Sequence, residues 1–562
     1  MTIFDSIQVT KPKVNSFDLS HDVKMSCNSG YLMPLCCIPV VPGDTFSFSP
    51  QVFARLQPLV NPVMHELDVR IETFYVPNRI IWPNFEDFIR MEKYKNAQGV
   101  VNPDKPVAPF VNLRTLFNVS GLGAFEYLKT GSLADYLGLP VQMFNGDFNS
   151  SMDLSGVDES SKFMKVSALP FAAYQKIYTE YYQDENVVDQ STVFDQLHDG
   201  DNSDQHLVLC PIRRRMYKKD YFTSALPNAQ AGNDVSIPFN GGSVAMTFDA
   251  SKGETRMQTP ISVHGQDVLT VGSATSLDAK EHTINVGGDS DLQVSIDNSA
   301  QLEGEITSFD ATIKDLRTAF SVQRALELSM RAGKRLKEQI YAFFGVKVPD
   351  MRVDRPEYLG SAKIPIIIGE VAQTSATDNT SPQANLAGRG AAAGRFSTGK
   401  KFFPEHGWFV AMISVTPKAN YMQGLARHWN LFDSMDFYWP QFQHIGEQAI
   451  LKKELFFAPT GLVYSQDQDL QDPMRNDDTF GYAPRYSEYK WMPSQIRGEF
   501  RTNLYRWHMA RNFSEWPLLN KSFLEIGYQN VNRSFAVTDN AYHHFLLDVI
   551  SMGKAFTNRS TI

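Results

Sequence analysis

Cysteine is scarce in this sequence, and its spacing excludes several classes of protein. The 562 residues contain four cysteines, namely Cys27, Cys36, Cys37 and Cys210. No CxxC pair occurs, so zinc sites and thioredoxin-type redox sites of that pattern have no support. Cys36 and Cys37 are adjacent, which is poor geometry for a structural disulfide. We therefore expect buried thiols that act as small hydrophobic side chains.

Long apolar runs are also absent. The sequence has no stretch of about 18 or more apolar residues, the length that a membrane-spanning helix requires. Residues 1–15 are polar and lack the apolar core of a signal peptide. The chain is therefore expected to be made and used in a cytosol, at least initially.

Positive charge is in deficit, and the deficit is local. The formal net charge of −9 argues against a surface coated with basic residues for nucleic acid. Between Phe239 and Asp310, eleven acidic residues stand against three basic ones, and only three residues are aromatic. Such a segment contributes little to a common core. We expect residues 239–310 to form an acidic surface insertion, and residues 1–238 and 311–562 to form the core.

The abundant residues favour many strands joined by long loops, with 30 prolines, 35 glycines and 39 phenylalanines. The clearest strand lies at residues 65–76, where Leu67, Val69 and Ile71 alternate with charged residues at a period of two. Further β-rich runs lie at residues 31–41, 45–49, 408–415, 449–457 and 545–550. Strands from both ends of the chain indicate one sheet system that is closed by distant segments.

Helices are predicted between these strands. The strongest pattern runs from residue 313 to residue 344 and is ended by Gly345. Shorter helices are predicted at 84–94 and at 132–137, where Ser132 can cap the first turn. Residues 374–401 are rich in Ala, Gly, Ser and Asn, and this composition predicts a long flexible loop.

Motifs for catalysis and for cofactors are weak. Residues 394–400 have the glycine and lysine spacing of a P-loop, but Lys401 replaces the required Ser or Thr, residues 387–393 are not expected to form the preceding strand, and Pro404 cannot help to open a helix. The acidic loop at 467–478 could gather calcium ligands, but it lacks the Gly and Glu of an EF-hand, which favours a solvated loop. Paired carboxylates of a glycoside hydrolase stay open because such a pair need only meet in space. We predict no enzyme activity, no metal and no cofactor.

A short basic run stands out from the acidic background. Its cations, followed closely by Tyr221 and Phe222, could contact the backbone and bases of single-stranded nucleic acid. The alternative is a set of subunit-interface salt bridges or a solvated turn. The cations are Arg213, Arg214, Arg215, Lys218 and Lys219.

Several short segments, in order between residues 15 and 515, resemble those of the major capsid proteins of microviruses, of the gokushovirus kind. They include FDLSH (17–21), VPGDT (41–45), FYVPNR (74–79), GSLADY (131–136), LPFAAY (169–174), KDYFTSALP (219–227), RPEYLG (355–360), FYWP (437–440) and GEFR (498–501). Residues 531–562 lie outside the matching segments. The ordered series is far more specific than any single motif in it.

The resemblance implies a mainly β fold, an eight-stranded antiparallel jelly-roll barrel with long loop insertions and a few helices. It also implies about sixty copies on icosahedral symmetry around a circular single-stranded DNA genome. The partners implied are an internal scaffolding protein, a small DNA-binding protein, a DNA pilot protein and a bacterial surface receptor. The place implied is the virion, after assembly in the host cytoplasm. Aromatic residues on long loops are candidate interface anchors, namely Trp429, Phe437, Tyr438 and Trp439, although core packing is equally open for each.

Family members of this kind carry a large insertion just before the long helix, where it forms protrusions at the threefold axes. The acidic segment 239–310 lies at that place, so the resemblance implies a host-facing role for it. The acids expected to face the host are Asp267, Asp278, Glu281, Asp289 and Asp291. The alternatives from other classes are a carbohydrate-active jelly-roll enzyme and a phage surface adhesin.

Overall fold

The chain divides into two compact units, Met1–Gly232 with Leu326–Ile562, and Asn233–Ala325. The computed structural model describes residues 17–26, 28–90, 106–113, 116, 127–140, 165–189, 193–232, 235, 257–258, 295–296, 313–372, 374, 385–458, 476–527, 529–535 and 557–558. In the second unit, the described elements are one antiparallel pair of short strands and the first part of a long helix.

The strands of the described residues pair in antiparallel fashion throughout. They are β1 (Met33–Val40), β2 (Thr45–Ser47), β3 (Gln51–Arg55), β4 (Leu67–Pro77), β5 (Phe110–Asn112), β6 (Lys165–Ser167), β7 (Met257–Gln258), β8 (Ser295–Ile296), β9 (Glu357–Pro365), β10 (Ile367–Ala372), β11 (Leu386–Arg395), β12 (Lys400–Phe402), β13 (Gly407–Pro417), β14 (Glu447–Leu451), β15 (Thr479–Pro484) and β16 (Thr557–Asn558).

The α-helices of the same residues are mostly short, and a π-helical turn (Tyr178–Tyr182) and several 3₁₀ turns occur beside them. They are α1 (Asn78–Ile81), α2 (Phe85–Arg90), α3 (Leu133–Tyr136), α4 (Leu169–Ile177), α5 (His206–Leu209), α6 (Ile313–Ala332), α7 (Leu336–Phe344), α8 (Lys521–Leu524) and α9 (Gln529–Asn532). Within the described part of the chain, no helix combines the length and the apolar character needed to cross a membrane.

A four-stranded sheet of order β1-β13-β4-β9 is the centre of the first unit. Its neighbours come from distant parts of the chain, as the strand-rich runs at both ends of the sequence predicted. In β4 the side chains of Leu67, Val69 and Ile71 all lie on the buried face. The half-buried strand predicted from the period of two is therefore confirmed.

Two smaller sheets, of order β10-β11-β3 and β12-β2-β16, supply the other side of the main core. This core places Val69 and Ile71 from the four-stranded sheet in one cluster with Phe46 and Ala392 from the smaller sheets and with Phe48 from the connection between β2 and β3. Aromatic rings fill the space between the sheets, and those of Phe46 and Phe403 meet edge to face with centroids 5.3 Å apart. The result is a sandwich of antiparallel sheets.

The opposite face of the four-stranded sheet is covered by helix α4. Here Phe74 of β4 and Val410 of β13 pack in a second cluster with Phe171, Tyr174 and Ile177. Because successive strand residues point to opposite faces, β13 contributes to both cores and is buried along nearly its whole length. A hydrophobic run without alternation is the sequence mark of such a strand.

The prediction of a flexible loop at residues 374–401 is wrong for the second half of this range, where the chain forms β11 and β12. Small residues are needed there because the sheets approach closely. A Cβ atom on Gly390 would lie 2.4 Å from Leu56 Cδ1, and one on Gly394 would lie 2.6 Å from Ile364 Cδ1. The composition that suggested a loop therefore serves close packing in a strand.

The long helix predicted from residue 313 to residue 344 is confirmed with one break. Gly333 adopts a φ of +95°, which ends α6 and separates it from α7, and Gly345 ends α7 in the left-handed conformation, as predicted. The short helix with Ser132 as its cap is confirmed, since the Ser132 hydroxyl accepts a bond from the Asp135 amide. The strand predicted at 449–457 is shorter, because β14 gives way to a 3₁₀ turn at Lys452, and residues 545–550 lie outside the described part.

The three cysteines that the structure describes are free thiols. Burial raises the pKa of both Cys36 and Cys210 to about 12, so these thiols stay protonated and act as small hydrophobic groups, as predicted. The mainly β, antiparallel character of the fold is also confirmed. Among the described strands no sheet closes on itself, so the eight-stranded barrel stays a prediction.

Candidate functional site

A groove of about 720 Å³, which we call the charged groove, opens beside the four-stranded sheet of the first unit. Its floor and walls carry eight cationic and six acidic side chains. They are Arg70, Arg215, Lys218, Lys219, Arg335, Arg355, Lys363 and Lys418, with Glu66, Asp68, Glu180, Asp184, Asp220 and Glu338.

The floor of the charged groove follows from the alternation of β4. Its apolar residues face the sandwich core, so the residues between them, Asp68 and Arg70, turn to the opposite face. The end of β13 adds Thr416 and Pro417 beside them, and β9 adds Lys363. The charged residues of β4 therefore form the floor of the charged groove.

Arg215 and Glu72 form the best-enclosed ion pair beside the groove. Two guanidinium nitrogens of Arg215 donate to the two carboxylate oxygens of Glu72 at 2.6 and 2.9 Å, a bidentate geometry. The Tyr182 hydroxyl also donates to Glu72, and the Arg215 guanidinium lies 5.2 Å from the centre of the Tyr182 ring. Burial opposes ionisation of Glu72, but the hydrogen bonds and charge of Arg215 outweigh it and lower the pKa of Glu72.

The two preceding arginines of the basic run are also held by their own chain. The Arg213 side chain donates to the Gln175 side chain at 2.7 Å and to the Val208 carbonyl at 2.8 Å. Arg214 donates to the Tyr31 hydroxyl at 3.1 Å and lies over the same ring. These cations therefore tie the segment after α5 to helix α4 and to the start of β1.

Lys218 and Lys219 complete the run and differ from the arginines, because both are exposed at the mouth of the groove. The Lys219 ammonium lies 3.3 Å from Asp184, and its side chain is 73% exposed. Lys218 has no salt bridge within the described residues. The predicted genome contact stays a prediction, and its accessible part in the folded subunit is this lysine pair.

Four of the five remaining cations of the groove are paired with acids, whereas Arg70 makes no salt bridge among the described residues. Lys363 lies 3.1 Å from Glu66 and 3.0 Å from Asp68, and Lys418 lies 3.3 Å from Glu66. Arg335 lies 2.8 Å from Glu185 across the opposite wall. Internal pairing of this kind offsets most of the positive charge of the groove apart from Lys218 and Arg70.

A buried amide at the groove wall was not anticipated from the sequence. Gln183 is 4% exposed, and neither polar atom of its side chain has a hydrogen-bond partner among the described residues. It is therefore available to water or to a ligand that offers both a donor and an acceptor. A single Gln in a polar stretch gives no sequence signal for such a position.

The other predicted sites are only partly described. The five acids Asp267, Asp278, Glu281, Asp289 and Asp291 lie outside the described residues, as does most of the acidic loop at 467–478. At the end of that loop, Asp477 pairs with Lys453 at 2.5 Å and Asp478 with Lys452 at 2.8 Å. Within the described chain, no three His, Cys, Asp or Glu side chains come together as metal ligands. In the P-loop-like segment, Gly394 lies in β11 and Lys400 in β12, with no helix after them.

The described part of the first unit is thus an antiparallel sheet sandwich with a charged groove in which several cations pair with acids of the same chain. The chain belongs to the family of phage capsid proteins described as "Capsid protein (F protein)", which it matches over residues 6–551.

Curated relatives agree with the family. The chain is 31% identical to capsid protein VP1 of Chlamydia phage 1, over 95% of this chain and 93% of that protein. It is 32% identical to capsid protein VP1 of Bdellovibrio phage phiMH2K, over 97% and 93%, and 25% identical to that of Spiroplasma virus 4, over 95% and 91%. The resemblance to gokushovirus-like microviruses is confirmed, and the chain is a structural capsid protein and a virion component.

The Arg215–Glu72 pair gives a direct test of what holds the groove. Glu72→Gln should lower the free energy of unfolding by about 3–5 kcal/mol at neutral pH, because it leaves a buried guanidinium without its counter-charge. The control is Glu66→Gln in the exposed pair with Lys363, which should change it by less than about 1 kcal/mol. Denaturant unfolding of the two variants measures both, and equal effects would contradict the assignment.

The same pair predicts a pH dependence of known sign. A carboxyl with a lowered pKa in the folded state stabilises the fold fully above its unfolded pKa, and this stability is lost as the pH falls through the folded value. In the double variant Glu72→Gln/Arg215→Met, this acid-sensitive part should vanish. Part of the stability lost in Glu72→Gln should also return, because no charge stays buried.

Proposed function

We propose that this chain is the principal shell protein of a small icosahedral phage and that about sixty copies enclose a circular single-stranded DNA genome. The observation that carries the proposal is the family match over nearly the whole chain, together with relatives that are capsid proteins of similar length. In this proposal the fold is an eight-stranded jelly roll with long insertions. The carbohydrate-active enzyme and the adhesin considered from the sequence gain no support from these relatives.

Strand order supports the jelly roll. The chain's first described strand, β1, pairs with β13, which then pairs with β4, and β4 pairs with β9. Such pairings between non-consecutive antiparallel strands are typical of Greek-key connections, from which jelly rolls are built. The smaller sheets that face this one supply strands for the second layer.

The further partners follow from the family resemblance. They are an internal scaffolding protein, a small DNA-binding protein and a DNA pilot protein, with assembly in the cytoplasm of a bacterial host. The acidic insertion at 239–310 is proposed to contact a host surface receptor. Its large acidic excess favours an outward position, where water and salt screen the repulsion between copies.

Genome contact is assigned to the mouth of the charged groove. Lys218 and Lys219 are exposed, whereas Arg213, Arg214 and Arg215 make contacts within the subunit. The lysine pair would neutralise phosphates, and the arginines would position the segment that carries it. Two exposed cations per copy suit sequence-independent contact with a backbone.

Assembly is the first expected outcome. Expressed alone or with its scaffolding partner, the chain should form pentamer-sized species or closed shells of uniform size. Sedimentation and electron microscopy of the purified protein measure this. A strictly monomeric profile under all co-expression conditions would refute the proposal.

Genome contact predicts a selective effect of two lysines. Lys218→Gln/Lys219→Gln should reduce packaged DNA and should lower the salt dependence of single-strand binding by a slope of up to about two. The control Lys363→Gln/Lys418→Gln removes two cations from the same groove that both pair with Glu66, whereas Lys218 has no salt bridge among the described residues and Lys219 is 73% exposed. Unchanged single-strand binding, together with shells that fail to assemble, would instead assign the lysines to a subunit interface.

The insertion predicts a separation of folding from attachment. Replacing residues 239–310 with a short Gly-Ser linker should leave the subunit folded, because a segment with only three aromatic residues contributes little to the core. Loop-closure entropy depends only weakly on length, so the shorter connection should change stability little. Protease resistance and adsorption to host cells are the two measurements. A second variant, with the five acids from Asp267 to Asp291 changed to amides, separates charge from shape. Failure of the shortened chain to fold would place the segment in the core.

A further inference from the structure

Residues 529–535, which comprise α9 and the turn after it, pack on the main core of the first unit. We call them the α9 segment. Val531 and Phe535 are buried in that core, and the Val60 amide donates to the Ser534 carbonyl at 3.0 Å. Burial of two apolar side chains favours the packed state at every pH. A change of pH can therefore release the segment only through a charged contact.

Arg533 is the one charged residue of the α9 segment, and it is held without an acid. Its guanidinium donates to the carbonyls of His508 and Ala510, each at 3.0 Å, and to the Tyr505 hydroxyl at 2.7 Å. It also lies 3.9 Å from the centre of the Tyr505 ring. Burial lowers the pKa of Arg533, and no carboxylate among the described residues offsets this effect. A cation held only by dipoles and a ring is sensitive to a second positive charge beside it.

His508 lies beside this cation, and both of its ring nitrogens are engaged. The ring is almost completely buried. Nε2 donates to the Phe500 carbonyl at 2.6 Å, because a carbonyl can only accept, so Nδ1 carries no proton in the neutral ring. Nδ1 accepts from the Ala510 amide at 3.2 Å and from the Arg533 guanidinium at 3.1 Å. A proton on Nδ1 would face two N–H donors, one of them a cation. The site therefore fits only the neutral ring.

A second buried histidine, His65, faces the same cation. Its Nε2 donates to the Lys418 carbonyl at 2.8 Å, and the Asn420 side-chain amide lies 3.4 Å from its Nδ1. Burial lowers the pKa of His65 to about 4, and positive charge on His508 and Arg533 acts in the same direction. Burial also lowers the pKa of His508. The fold thus places two neutral histidines beside one unpaired cation.

The other ionisable groups at this site do not compensate the cation. Glu66 favours a charged His65, but its half-exposed carboxylate is paired with Lys363 and Lys418. Tyr505 faces both His508 and Arg533, and a phenol is uncharged at neutral and acidic pH. Protonation of either histidine would therefore add a positive charge that is not neutralised on the spot.

We propose that His508, His65 and Arg533 form an acid-operated latch on the α9 segment. At neutral pH both rings are uncharged, and Arg533 bonds to His508 and holds the segment on the core. In acid the protonated rings repel Arg533, and the α9 segment leaves the core while the rest of the sandwich stays folded. Its departure removes the guanidinium and lets water reach both rings, so the open form accepts the protons that the closed form refuses.

The lowered pKa values of the two histidines fix the direction of the pH dependence. In the open form both rings titrate near the ordinary histidine pKa of about 6.5. Below that pH the open form binds more protons than the closed form, so the latch is fully stable above about pH 6.5 and loosens as the pH falls. Each histidine raises the equilibrium constant for opening by about tenfold per pH unit over this window.

Hydrogen exchange of the whole unassembled chain, from about pH 7.5 to about pH 5, tests the latch. The reporter is the Val60 amide, which the Ser534 carbonyl protects, and the reference is the set of amides of β13. Exchange is expressed relative to the unstructured rate at the same pH. Opening at Val60 should rise by about tenfold to a hundredfold per pH unit below about pH 6.5, whereas β13 should stay protected.

Matched variants identify the groups that take up the protons. His508→Asn keeps an oxygen that can accept from Ala510 and Arg533, and His65→Gln keeps a donor for the Lys418 carbonyl, but neither new side chain titrates. Each change should lower the slope of the logarithm of opening against pH by about one, and the double variant should be nearly insensitive to pH. The control His428→Asn alters an exposed histidine and should keep the wild-type slope.

Three results would overturn the proposal. Unchanged protection of Val60 down to about pH 5 would show that the segment is not released. Loss of protection in β13 at the same pH would show unfolding of the whole sheet instead of a local opening. A wild-type slope in the double variant would assign the release to other groups. The first two results come from the wild type alone, so they stand even where a variant fails to fold, and none of the three depends on shell assembly.

Discussion

The pairing of β13 with both β1 and β4 is the constraint on which the rest of the fold depends. β13 begins at Gly407, whereas β1 and β4 end before residue 80, so these pairings form only after more than three hundred further residues have been placed. Closing so long a loop costs entropy, but this cost grows only slowly with loop length. The chain can therefore carry a long insertion between these strands with little further loss of stability. The same topology predicts slow folding, because distant contacts must form before they contribute.

Burial of β13 on both faces decides where charges can lie. The smaller sheets cover one face of the four-stranded sheet, and α4 covers most of the other. The charged side chains of β4 therefore lie at the uncovered end of the sheet. There Glu72 is enclosed, and a buried carboxylate needs a partner of opposite charge. Arg215 supplies it. The charged groove thus results from the packing of the sheet and is not a separate module.

The parts of the fold that could be predicted from the sequence are those governed by local patterns. The period of two marked β4, Ser132 marked the start of α3, and Gly345 marked the end of α7. The missed parts depend on contacts that no local pattern encodes. Ala and Gly in β11 suggested a loop, because the close approach of Leu56 and Ile364 is visible only in the folded chain. Likewise, Glu72 and Arg215 are 143 residues apart, so nothing in the sequence pairs them.

The arginines and the lysines of the basic run have different surroundings, and this difference matters for the proposed binding of a polyanion by a protein of net negative charge. The arginines, whose planar groups suit bidentate and stacked contacts, are used to fix the segment, and the lysines, which act as hydrated point charges, remain in solvent. Under the proposed genome contact, two lysines would give each copy only weak, salt-sensitive attraction for a phosphate backbone. Under the proposed shell function, that weakness is offset by multiplicity, because one strand meets the same pair on every subunit. Strong sites on each copy would trap the strand locally, whereas many weak ones let it rearrange while the shell closes.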